Sequence, residues 1–117
     1  MKSVLIVDDS RVSRKMIRNL ISHSGFEVVG EAIDGREGLE LYVKLSPDVV
    51  VMDITIPEMN GLDSLMKIKE HDPDARVILI AEEGQDQEKE EARKAGAVAL
   101  VTKPYSDEDI LYAIRMC

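Results

Sequence analysis

The sequence predicts an α/β protein whose parallel sheet is covered on both faces by helices. Two observations predict it. Short aliphatic runs, among them Val4-Leu-Ile-Val7, Val49-Val-Val-Met52 and Val77-Ile-Leu-Ile80, alternate with longer segments of helical periodicity, and they do so five times. No two-residue turn joins adjacent strands, so the strands are joined by right-handed crossovers rather than hairpins. The runs show no polar alternation, which is the signature of strands buried on both faces.

Composition narrows the function. A chain of 117 residues forms one domain, 1–117, with a core large enough to fold without staples. Its formal net charge of -8 argues against direct nucleic-acid binding, where cationic contacts to phosphate dominate, and against an anionic membrane surface. No window approaches the ~20 apolar residues of a membrane span, and the run Val4–Val7 ends in Asp8-Asp9, unlike a signal peptide. The single cysteine, Cys117, permits no internal disulfide and fits a reducing cytoplasm.

In order, Ser3–Val7 reads as the first strand and ends in Asp8-Asp9-Ser10. A helix follows, with Val12, Met16, Ile17, Leu20 and Ile21 at helical spacing and Gly25 as its stop. Its other face carries Arg11, Arg14, Lys15 and Arg18, either a solvated stripe or a docking edge for an acidic partner. Phe26–Ala32 is a weaker strand near the sheet edge. After the Asp34-Gly35 turn, Arg36–Leu45 is a helix with Leu39, Tyr42, Val43 and Leu45 on its apolar side, and Ser46-Pro47 breaks it. Asp48–Asp53 is the central strand, followed by the breaker-rich loop Ile54–Gly61. Leu62–Glu70 is the third helix, with Leu62, Leu65, Met66 and Lys69 on one side, and Arg76–Ala81 is the fourth strand. The helix from about Gln85 to Lys94 offers only Ala92 to a core, so packing stabilises it least and it is expected to open or shift most readily. Ala97–Thr102 is the fifth strand, and Ser106 with Asp109 forms a capping box for a last helix that buries Ile110, Leu111 and Ile114.

In open parallel sheets, ligands sit beyond the carboxyl ends of the strands. That edge collects Asp8, Asp9, Asp53, Ala81-Glu82 and Lys103. Asp8-Asp9-Ser10 are residue types that cap a helix, but one residue suffices for a cap, so two acids beyond a buried strand together with Asp53 favour a joint site. Carboxylates crowded this way call for a cation, and few, hard oxygen ligands suit Mg²⁺. An Asp53 carboxylate ringed by Mg²⁺ and Lys103 is a nucleophile suited to phosphoryl transfer.

The pair Asp8-Asp9, Asp53 after its strand, the Pro57…Gly61 loop, Ala95-Gly96-Ala97 and Lys103-Pro104 together resemble the receiver (CheY-like) domain of two-component response regulators. The joint order and spacing carry the match, which spans essentially the whole chain. The resemblance implies a flavodoxin-like doubly wound five-stranded parallel sheet of order 2-1-3-4-5 with five helices. It implies Asp53 as phosphoacceptor from a histidine kinase or phosphotransferase protein. Asp8, Asp9, Asp53 and the Thr55 backbone carbonyl would hold Mg²⁺. Lys103 would contact the phosphoryl group, and the bond to Pro104 would be cis. The module would be a cytoplasmic signalling domain rather than an enzyme. Its output face would be built from the fourth helix, fifth strand and fifth helix and recognised electrostatically by a downstream protein.

Two positions depart from the family pattern. Ala81 stands where Ser or Thr is usual, and Leu100 where Tyr or Phe is usual; together those positions make the family's switch. A hydrogen bond to a charged group contributes ~1.5–3 kcal/mol, against ~5.5 kcal/mol needed to move an equilibrium from 1:99 to 99:1. The missing hydroxyl thus removes roughly a third to a half of that drive. Glu82, where the family prefers a small residue, and Glu83 either swing into solvent or obstruct entry to the site. Two alternatives stand beside the phosphoacceptor. A phosphorylation-independent pseudo-receiver acting as an interaction module accounts for Ala81 and Leu100. A hydrolase of the haloacid-dehalogenase type also uses an aspartyl nucleophile after a strand, but needs a second Asp where Thr55 stands.

Overall fold

A computed structural model describes residues 1–117. Five strands alternate with five helices: β1 (Ser3–Val7), α1 (Arg11–Ser22), β2 (Glu27–Ala32), α2 (Gly35–Leu45), β3 (Val49–Asp53), α3 (Gly61–His71), β4 (Val77–Ala81), α4 (Asp86–Lys94), β5 (Ala99–Thr102) and α5 (Asp107–Arg115). All strand pairs are parallel, in the order β2-β1-β3-β4-β5. This is the doubly wound architecture the alternation predicts.

The aliphatic runs are buried because successive side chains of a strand point to opposite faces, and both faces are covered. Leu5, Val7, Val50, Met52 and Leu79 join Leu65 and Ile68 of α3 and Ala92 of α4 in one core. Val4, Ile6, Val49, Val51, Ile78 and Ile80 join Ile17 and Ile21 of α1 and Ile110 and Ile114 of α5 in the other. Every residue of β3 and β4 is buried. Each such Val, Leu or Ile contributes about 1.5–3 kcal/mol of transfer free energy relative to exposure. No helix is long and apolar enough to cross a membrane.

Local signals set the helix ends. Ser10, Asp34, Asn60 and Ser106 each accept a backbone N–H of the following helix, the bond that satisfies an otherwise orphaned donor. Ser106 and Asp109 complete a capping box. Ser46 ends α2 with a left-handed φ of 45°. At the far end of the sheet, the Lys2 ammonium donates to the carbonyls of Ile114 at 3.0 Å and Cys117 at 2.6 Å, which closes α5 with a cation where its dipole is negative.

The helices are rotated differently from what periodicity alone predicts. In α1, Ile17 and Ile21 are buried, whereas Val12 and Met16 are 70% and 67% exposed. In α2, Tyr42 is buried but Val43 and Leu45 face solvent. In α3, Ile68 takes the core position expected of Met66, which is exposed. In α5, Ala113 is buried and Leu111 only half so. The fourth helix buries Ala92 alone.

Candidate functional site

The carboxyl edge of the sheet brings the expected residues together. Asp53 ends β3 in the middle of the sheet and is 5% exposed. Its Oδ1 accepts from the Thr55 N–H at 2.9 Å, and its Oδ2 accepts from Lys103 Nζ at 2.8 Å. The hydrogen bond to Asp53 holds the Lys103 ammonium charged above the usual lysine range; the charges of Asp53, Asp8 and Glu82 add to this, and partial burial opposes it. Lys103 is delivered by the end of β5, its N–H bound to the Ala81 carbonyl at 2.8 Å, and the Lys103-Pro104 bond is cis.

Glycine shapes the loop after Asp53. A Cβ on Gly61 would lie 2.6 Å from Ile54 Cα and 2.7 Å from the Asp53 carbonyl oxygen. Only a residue without a side chain lets the start of α3 close on the strand end. Glu58 in the same loop has a left-handed φ of 66°.

Asp8 is buried at the end of β1. Its Oδ1 accepts from the Ser10 N–H at 2.8 Å and its Oδ2 from the Ser13 hydroxyl at 2.7 Å. Asp9 is exposed. Arg14 donates to the Asp8 carbonyl at 2.7 Å and pairs with Glu31 of β2 at 3.3 Å, where Arg18 joins it. The basic stripe of α1 is therefore divided. Arg14 and Arg18 are engaged within the fold, and Arg11 and Lys15 face solvent. Sequence pattern could not supply Glu31 as a partner, because it comes from a different element.

The acids match Mg²⁺ in kind. Each oxygen of Asp8 and Asp53 accepts a single protein hydrogen bond, which leaves a lone pair on each hard donor. They do not stand as a preformed cluster of three acidic ligands. A cation that keeps several of its waters needs only one or two carboxylates, so the donor set fits it.

The β4 side of the site differs. Ala81 is fully buried and presents only a methyl group. Glu82 and Glu83 are exposed, though the charge of Glu82 still reaches Lys103. Sequence reasoning did not single out Gln85, the residue ahead of α4. Its Nε2 donates to Thr55 Oγ1 at 3.1 Å and its Oε1 accepts from the Glu82 N–H at 2.8 Å. Behind the site, Tyr105 is half-buried, and burial pushes its phenol up.

Leu100 is half-buried against the α3 side of the core. It lines a groove of about 630 Å³ between β5 and α5 that also takes in Val98, Tyr112 and Met116. Val98, Tyr112 and Met116 are 47%, 59% and 67% exposed. The α4–β5–α5 face is thus charged along α4 and apolar between β5 and α5, rather than charged throughout.

A doubly wound parallel sheet of order 2-1-3-4-5 places the protein in the flavodoxin-like class, and here acids and a lysine stand at its carboxyl edge. Comparison with known proteins narrows this class to one family. The model of the response regulator receiver domain matches residues 4–115. The chemotaxis protein CheY of Thermotoga maritima is 45% identical over 114 residues, covering 97% of this chain and 95% of the relative. That of Bacillus subtilis is 43% identical over 112 residues, covering 96% and 93%. Among solved structures, the CheX-CheY-BeF3-Mg+2 complex from Borrelia burgdorferi superposes with a TM-score of 0.93 at 33% identity, covering 98% of this chain and 87% of that one. The protein belongs to the CheY-like receiver domains of two-component response regulators.

Proposed function

We propose that Asp53 is a phosphoacceptor, charged by a histidine kinase or phosphotransferase protein and read out through contacts with a downstream protein in the cytoplasm. The Asp53–Lys103 pair carries this reading: a nearly buried carboxylate, at the end of the central strand, held by a lysine at 2.8 Å. An Asp53 oxygen forms the new O–P bond as the P–N bond of a phosphohistidine breaks, and the electron pair leaves on the imidazole nitrogen. Lys103 neutralises charge on the transferring group, and the Thr55 N–H orients the carboxylate. Asp8, Asp9, Asp53 and the Thr55 carbonyl would hold Mg²⁺, which supplies Lewis-acid stabilisation of the phosphoryl oxygens. A relative 33% identical, solved with BeF3 and Mg, supports the same chemistry here.

Ala81 and Leu100 support a muted switch in place of the usual hydroxyl and ring. They also favour the second reading, an interaction module indifferent to phosphorylation.

Intact-mass spectrometry after incubation with acetyl phosphate and Mg²⁺ separates the two. Addition of one phosphoryl group, abolished in Asp53→Asn and by chelation, is expected. An unmodified wild-type chain would leave the interaction module standing instead.

A further inference from the structure

We propose that Gln85 is the positioning residue that ties the state of Asp53 to the placement of α4. The inference rests on the phosphoacceptor reading for its trigger and on geometry for its device. Gln85 precedes α4 but makes no side-chain cap for it. Both ends of its amide are used crosswise instead. The carbonyl end holds the Glu82 N–H at the close of β4, and the NH2 end holds Thr55 Oγ1 in the loop after β3. Thr55 in turn donates its N–H to Asp53 Oδ1 at 2.9 Å. Two hydrogen bonds therefore connect the Asp53 carboxylate to the side chain that begins α4.

The helix at the other end of this link has little else to hold it. Ala92 is its only buried residue, and its ion pairs, Lys89 with Asp86 and Arg93 with Glu90, are internal to it. Ala81 cannot relay a change at Asp53, because a methyl group has no polar contact to exchange. Gln85 can. A phosphoryl group places about two negative charges and three strong acceptors beside Asp53. The Gln85 NH2 then has a better acceptor than the neutral Thr55 hydroxyl. As it turns from Thr55 toward a phosphoryl oxygen, its carbonyl end draws the Glu82–Gln85 turn and the first turn of α4 with it. Gly84, with a φ of +87° and open space around its Cα, supplies the hinge within that turn.

The test uses the whole chain in two arms. In the first, hydrogen exchange of α4 amides is followed in wild type, Gln85→Ala and Thr55→Val without phosphoryl reagents. Thr55→Val removes the acceptor and keeps the side-chain volume. Both variants should speed α4 exchange roughly five- to tenfold, the equilibrium worth of one net hydrogen bond, and leave α1 unchanged. Unchanged exchange in both variants overturns the latch. In the second arm, amide NMR shifts are read with Mg²⁺ and beryllofluoride at verified loading. Wild type should shift at Asp53 and along α4; Gln85→Ala should keep the shift at Asp53 and lose that of α4. An α4 response that persists in Gln85→Ala overturns the coupling. A wild type that takes up no beryllofluoride overturns the coupling and the phosphoacceptor reading together, and faster exchange in the first arm still supports the static latch.

Discussion

The two helices that flank the carboxyl edge, α1 and α4, are held in opposite ways. Helix α1 buries Ile17 and Ile21, and its first two turns are bound to the site through Ser10, Ser13 and Arg14, with Glu31 of β2 securing Arg14 from behind. Helix α4 buries one alanine and reaches the site through one amide. The Asp8 side is fixed where the chemistry needs preorganised donors. The Ala81 side is lightly attached, where a change of state can move structure at small cost. The contrast teaches that local stability is distributed unevenly, and that the segment most open to displacement is the one with fewest buried apolar contacts.

The largest expected effect lies where that contrast is greatest, in the sheet between the helices. Leu79→Ala at the centre of β4 should cost about 2–5 kcal/mol in urea unfolding, because the cavity it leaves is closed on both sides. Charge-neutral changes on the exposed face of α4, such as Gln87→Ala, should stay within about 0.5 kcal/mol by the same measurement. Comparable costs at the two places would break the comparison.

Two glycines sharpen it at intermediate size. Gly61→Ala forces a Cβ against Ile54 and the Asp53 carbonyl, and should cost roughly 1–3 kcal/mol and slow phosphoryl uptake by displacing Asp53. Gly84→Ala meets no neighbour but must hold a left-handed φ, so about 1 kcal/mol is expected, with uptake unchanged. Urea titration beside the acetyl phosphate assay reads both. Equal loss of uptake in the two variants would show that the α4 side is as rigid as the α3 side.

The smallest effect is a pH dependence remote from the site. Tyr42 donates to Asp72 at 2.7 Å, which lowers the Asp72 carboxyl below the usual range; burial first, and then Asp72, raises the Tyr42 phenol. The lowered carboxyl adds stability above its ordinary value of about 3.9, and loses it as pH falls through the folded value. The raised phenol adds stability below its ordinary value of about 10, and loses it as pH rises through the folded value. Tyr42→Phe should therefore be less stable than wild type across the neutral plateau, with the gap closing in acid and in alkali. A gap independent of pH would mean that packing of the ring, rather than its hydroxyl, accounts for the loss.

The residues themselves determined a good deal. Uninterrupted aliphatic runs have one stable destination, a strand covered on both faces, so the positions of β1, β3 and β4 and the alternation around them were legible. The cap at Ser106 was legible for a local reason, since side chain and orphan N–H lie three residues apart, whereas Asp8-Asp9-Ser10 offered several candidates of which the fold uses Ser10. Once parallel order follows from the crossovers, Asp8, Asp53 and Lys103 must meet at one edge, and the lysine does reach the carboxylate.

Tertiary structure decided what depends on neighbours distant in sequence. Periodicity says that a helix has an apolar side but not how far it is rotated, so Met66 and Ile68 exchange places, and Val12 and Met16 lie open. The stripe on α1 reads as uniform until Glu31 selects two of its four cations. Above all, Gln85 is one polar residue among many at the head of α4. Only the packing of the β3 and β4 loops, thirty residues apart along the chain, brings its amide to Thr55, because a long-range hydrogen bond is a property of the fold and not of the segment.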